Sequence, residues 1–155
     1  GAGIVGSASE GTKRIAAAIT SGAAAERFGR MVAAQGGPPG FVEQAARYLP
    51  QADVVLEVTA TGAGYVSAID GEALGLAVVS LGGGRQVETD VIDPAAGLSD
   101  IVALGCRIAP GDVLARVHAA RLEQAKVTAD RIRAAIRLSA GAPELAPLIC
   151  DRIMR

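Results

Sequence analysis

The sequence predicts an α+β fold, with N-terminal helices followed by a mainly antiparallel, barrel-sandwich-like sheet flanked by helices. Three observations carry that expectation. Apolar residues recur at helical spacing through the first third of the chain, and the period changes from 3.6 to 2 at Asp53. The strands beyond it are joined irregularly, with no repeated βαβ rhythm and no internal repeat at solenoid periods.

Composition bounds the class. Half of the 155 residues are hydrophobic, enough for a packed core, and disorder is excluded as a prior. The 15 basic and 16 acidic residues are interspersed and no basic stripe could track a phosphate backbone, which argues against nucleic acid as a partner. Apolar stretches are broken by Gly or charge well before about 18 residues, and no basic segment leads into one, so neither secretion nor membrane spanning is indicated. Cys106 and Cys150 match no metal spacing and are expected as two buried thiols in a reducing, cytoplasmic setting. Arginine outnumbers lysine, which occurs only as Lys13 and Lys126, a bias we attribute to genome composition. Gly1 begins the chain without an initiator Met, as an excised fragment begins.

Ser7 and Glu10 stand at capping-box spacing, and Ile15 and Ile19 share one face of the helix they open, with Gly22 as its stop or joint. A second helix starts at Ala23, with Phe28, Met31 and Val32 on one side and Glu26 paired with Arg30 on the other. Gly36, Gly37, Pro38 and Pro39 end it. A short helix over residues 41–49 presents Phe41, Ala45, Tyr48 and Leu49 together. Val54, Leu56 and Val58 then alternate as a half-buried strand, and Tyr65 to Ile69 form a second, the two joined as a hairpin through Thr61, Gly62 and Gly64. Residues 73–84 read as a buried helix ending in three glycines. Gln86 to Gly105 reads as loop plus one helical turn around residues 98–104. A Pro-Gly turn precedes a strand whose Val113, Ala115 and Val117 share a face. A long helix follows with Leu122, Ala125, Ala129, Ile132 and Ile136 in one stripe, and a short strand over Leu148 to Ile153 closes the chain.

Candidate sites are few. Gly1, Gly3 and Gly6 satisfy G-x-G-x-x-G, but no strand precedes them to aim the turn at a pyrophosphate. Gly82, Gly83, Gly84 and Arg85 combine exposed amides with a cationic fork, a set suited to phosphate or carboxylate, although a mobile helix cap is the simpler reading. His118, the single histidine, lies at a strand end on the face of Leu114 and Arg116 and reads as structural. Asp90, Asp93, Asp100 and Asp112 lack the alternation of a calcium loop and read as caps. No serine occupies a nucleophile elbow, and neither cysteine has basic company beyond Arg107 and Arg152. The residues by themselves define no catalytic set, no metal site and no cofactor site.

Four stretches, SGAAAERFGRMVAAQGG (21–37), GYVSAIDGEALGLAVVSLGGGR (64–85), IDPAAGLSDIVALG (92–105) and RIAPGDVLARVHA (107–119), resemble in order and spacing the C-terminal region of thymidine and pyrimidine-nucleoside phosphorylases. The resemblance implies a cytoplasmic homodimeric parent that cleaves thymidine with phosphate, giving thymine and 2-deoxyribose 1-phosphate without an organic cofactor. It implies a helical segment over 1–36 leading from a missing α/β domain, and a C-terminal α+β domain over 37–155. That domain closes over a cleft built by the missing helical and α/β domains, with Gly82, Gly83, Gly84 and Arg85 as a mobile cover. The family's phosphate and base ligands lie upstream, so no catalytic residue is carried over, and the isolated chain is expected to be inactive. Two other readings are a free-standing interaction domain and a carrier-like sandwich resembling biotinyl and lipoyl modules. The latter needs a lysine on a hairpin tip, whereas Lys13 and Lys126 fall in expected helices.

Overall fold

The structure, a computed structural model, describes residues 3–147, 149 and 151. The closing strand expected over Leu148 to Ile153 falls mostly on positions outside the described residues, as do Cys150 and Gly1, and the two described positions within it, Ile149 and Asp151, are not in a strand. The chain divides into two compact units, Gly1–Pro50 and Gln51–Arg155.

The first unit is helical. In α1 (Ala8–Thr20) the Ser7 hydroxyl accepts from the Glu10 amide at 3.2 Å. The Glu10 carboxylate accepts from Gly6 N at 3.1 Å, one residue earlier than a full capping box would have it. Gly22, at φ 80, makes the joint to α2 (Ala23–Ala34), because a left-handed residue is needed there and glycine adopts it without strain. Among the described residues the expected Glu26–Arg30 pair does not form, and Glu10 pairs with Arg14 at 3.3 Å instead. The third helix shrinks to one turn, α3 (Ala45–Tyr48), because Phe41 turns back to meet Phe28 edge-on at 6.1 Å and to stack on Tyr48 at 6.4 Å. Residues beyond the Gly36–Pro39 break thus stay with the helices before it. No residue of α1, α2 or α3 is buried, so Ile15, Ile19 and Met31 face solvent.

The second unit holds two three-stranded antiparallel sheets, and neither closes into a barrel. One has the order β1 (Val54–Thr59), β5 (Val113–Ala119), β3 (Gly97–Ser99). The other has β4 (Arg107–Ile108), β2 (Gly64–Ile69), β6 (Ile136–Ser139). Helices α4 (Gly71–Val78) and α5 (Leu122–Ala135) pack together, and α5 lies against β1 and β5. The core is aliphatic, with Val58, Val66, Val117 and Ile132 fully buried.

Four expectations are corrected. β1 and β2 do not form a hairpin: β1 pairs with β5 and β2 with β6, so Val58 and Val66 reach the core from different sheets. Close approach enforces this, since a Cβ on Gly64 would lie 2.6 Å from the Ser139 carbonyl oxygen. The helical turn expected over 98–104 is replaced by β3, because Gly97, Leu98 and Ser99 pair with His118, Val117 and Arg116. Helix α5 stops at Ala135, and Ile136, expected in its stripe, opens β6 instead, while Leu122 at the other end is exposed. Cys106 is exposed and not buried, in the turn before β4.

Ile132→Ala should lower stability by about 2–5 kcal/mol, since it opens a cavity at a fully buried site. Leu122→Ala, at an exposed position, should stay within about 0.5 kcal/mol. Denaturant midpoints of the two variants check the contrast.

Candidate functional site

The glycine run forms one side of a loop neck. Asp70 caps α4, its carboxylate accepting from Ala73 N at 2.9 Å. The helix runs on into a turn over Val79–Gly83 that kinks at Gly82. Ser80 ties that turn to α5, its hydroxyl accepting from Arg131 at 2.8 Å. Gly82 then reverses the chain at φ 96 and accepts from Asp93 N at 2.8 Å through its carbonyl. Gly83 and Gly84 are required by contact: a Cβ on Gly83 would lie 2.8 Å from the Ala96 carbonyl oxygen, and one on Gly84 would lie 2.8 Å from Val79 Cγ2. The three glycines are therefore packed into the neck, half-buried, and the exposed part of the loop begins at Arg85.

Between Gly84 and Asp93 the chain makes an Ω-shaped loop with adjacent ends. The Asp90 carboxylate accepts from Gln86 N at 2.9 Å and Val87 N at 3.0 Å, which orders the loop from inside. Arg85 is exposed and makes no ion pair among the described residues, while Val91 at the tip is 92% exposed. The loop thus exposes a guanidinium at Arg85 and an apolar side chain at Val91.

Beyond the neck, β3 brings His118 its partner. The Ser99 hydroxyl lies 2.8 Å from His118 Nε2 and donates to the Asp100 carboxylate at 3.3 Å. Arg116, two residues before His118, donates to Asp100 at 2.7 Å and to Glu57 at 3.0 Å. Those two carboxylates raise the Arg116 guanidinium above its ordinary value, the hydrogen bond it donates to Glu57 contributing most and the one it donates to Asp100 next. Asp100 holds φ 52, uncommon for a residue with a side chain, and its contacts to Ser99 and Arg116 fix it there. Sequence placed His118 on one face with Arg116 but missed Ser99, because a three-residue strand gives too short a pattern to find.

The other singled-out residues have local roles. Asp93 accepts from Ala95 N and Asp112 from Ala109 N, so these carboxylates cap turns. No group of three potential ligands that could hold a metal occurs among the described residues. Lys13 lies in α1 and Lys126 in α5, where it pairs with Glu123 at 2.8 Å, so neither sits on a hairpin tip. No helix among the described residues is long and apolar enough to cross a membrane.

Two antiparallel sheets backed by α5, with a glycine-necked loop between α4 and β3, define an α+β lobe built around its loop. Residues 65–139 match the family described as pyrimidine nucleoside phosphorylase C-terminal domain. The thymidine phosphorylase of Agrobacterium fabrum (strain C58 / ATCC 33970) is 42% identical over 144 residues, 93% of this chain and 33% of the relative. The chain spans about a third of that relative's length.

Gly83→Ala should destabilise the chain by about 1–3 kcal/mol, through overpacking of the neck. Gly75→Ala, inside α4 with open space around the new methyl, should stabilise it by about 0.5–1 kcal/mol. Opposite shifts in unfolding midpoint are the expected result.

Proposed function

We propose that the chain is the C-terminal part of a thymidine phosphorylase. The carrying observation is the 42% identity to such an enzyme along 93% of the chain. The reaction of the parent is thymidine plus phosphate to thymine and 2-deoxyribose 1-phosphate. A phosphate oxygen bonds to the anomeric carbon as the bond to the pyrimidine nitrogen breaks, the electron pair leaving with the base. Catalysis of this kind rests on orientation and on stabilising charge at both ends of the breaking bond.

In this reading the domain is a closing wall. The helical and α/β domains of the parent supply the phosphate and base ligands, and the loop of Gly82, Gly83, Gly84 and Arg85 covers the cleft. Closure excludes water and holds phosphate and nucleoside together. One feature supports it: the loop beyond the three glycines is exposed, and Arg85 at its start makes no ion pair among the described residues. The exposed apolar faces of α1 and α2 suit helices that pack against another part of the same enzyme. The helical segment over 1–36 is then the lead-in from the α/β domain, with 37–155 as the closing lobe, in a cytoplasmic, homodimeric parent.

The purified 155-residue chain, given thymidine and phosphate, should release no thymine above the uncatalysed background. Chromatography of the free base checks this, and turnover by the chain alone would sink the reading. The source open reading frame should also encode roughly 300 upstream residues, more than a typical single domain.

A further inference from the structure

We infer that His118 is a positioning residue, acting through Ser99 as a latch on the far end of the glycine-necked loop. The inference rests on geometry within residues 51–155, and only its meaning for a cleft rests on the function proposed above.

The near end of the loop is held by packing, through Gly83 and Gly84, and by the Gly82–Asp93 hydrogen bond. The far end shares those contacts, through Asp93 and Ala96, and Ala96 and Leu98 pack partly buried against the core. After Asp93 the chain passes through one turn into β3, which has only three residues and pairs on a single edge, with β5. A ladder that short is marginal, and the ends of such elements open locally at low free energy. Two side-chain links supplement it, both from β5. His118 Nε2 meets Ser99 Oγ at 2.8 Å, part-buried, and Arg116 meets Asp100 at 2.7 Å, exposed. The part-buried bond is the stronger restraint, because an exposed ion pair is screened by water and salt.

The Ser99 hydroxyl and His118 Nε2 are linked whichever of the two donates, the ring tautomer setting the direction, and Ser99 Oγ also lies 3.3 Å from the Asp100 carboxylate. The run His118 to Ser99 to Asp100, with Arg116 bridging Asp100 and Glu57, links β5, β3 and β1 across the whole sheet. His118 is therefore bonded to the segment through which the loop joins the core. In the proposed enzyme this is the end on which a cleft cover would pivot.

Hydrogen exchange on the 155-residue chain tests the latch, comparing segment 93–100 with segment 125–135 of α5. In His118→Leu, exchange over 93–100 should rise roughly two- to tenfold, the loss expected for one hydrogen bond, with α5 unchanged. His118→Gln, whose amide can place a donor near the Nε2 position, should stay within about twofold of the parent. Ser99→Ala should match His118→Leu, and the double variant should add nothing further. Should His118→Leu fail to fold, Ser99→Ala carries the same comparison. No change over 93–100, an equal rise in α5, or a His118→Gln variant as loose as His118→Leu would each overturn the proposal. The first would remove the restraint, the second would make His118 a general core residue, and the third would assign its effect to ring packing.

Discussion

Helix α5 lies against β1 and β5 through small side chains, and the rest of the larger unit depends on that contact. Ala115 and Ala119 on β5 and Ala125 and Ala129 on α5 are all buried, with Val117 and Ile132 among them. Alanine at these positions lets the helix backbone come close to the sheet, so attraction is spread over many atoms and not concentrated in a few large rings. The chain has two phenylalanines, both in the first unit, and no tryptophan, so the aromatic ring of the larger unit is that of the half-buried Tyr65 on β2. β5 is paired on both edges, and its placement therefore fixes β1 on one side and β3 on the other.

That arrangement turns a core contact into a site-building one. The face of β5 toward α5 is apolar, and the alternate residues Arg116 and His118 are free to hold β3. β3 is the return of the loop that leaves α4, and α4 packs on the same helix α5. Both ends of the loop are thus referred to one structural element, through Ser80 and Arg131 on the α4 side and through β5 on the other. The family match covers residues 65–139 and so contains all of these parts except β1 and the first residue of β2.

Much of the fold was legible because local signals were strong. The cap at Ser7, the period change at Asp53 and the alternation of Ala115 and Val117 depend on neighbouring residues, which a sequence displays directly. The misreadings share another origin. Nothing near Ala135 stops a helix, and Ile136 keeps helical spacing from Ile132; α5 ends there because residues 136–139 pair with β2, about seventy positions away in the chain. Likewise β3 exists because β5 offers an edge, and β1 and β2 part because their partners lie downstream. At the site, the glycine run was visible but its reason was not. Composition suggested slack, whereas the contacts at Gly83 and Gly84 are steric requirements set by Ala96 and Val79. His118 was visible as a lone imidazole, and its partner stayed hidden in a strand too short to announce itself.

The closed neck has a consequence for how this lobe tolerates change. Because Gly82 and Asp93 are bonded to each other, the residues between them form a cassette whose two insertion points are fixed by the core and not by the cassette's own sequence. Lengthening such a segment carries only the slowly growing entropy of closing a larger ring, about 0.6 kcal/mol for each doubling. The composition of the tip can therefore drift or be exchanged almost independently of the lobe that carries it.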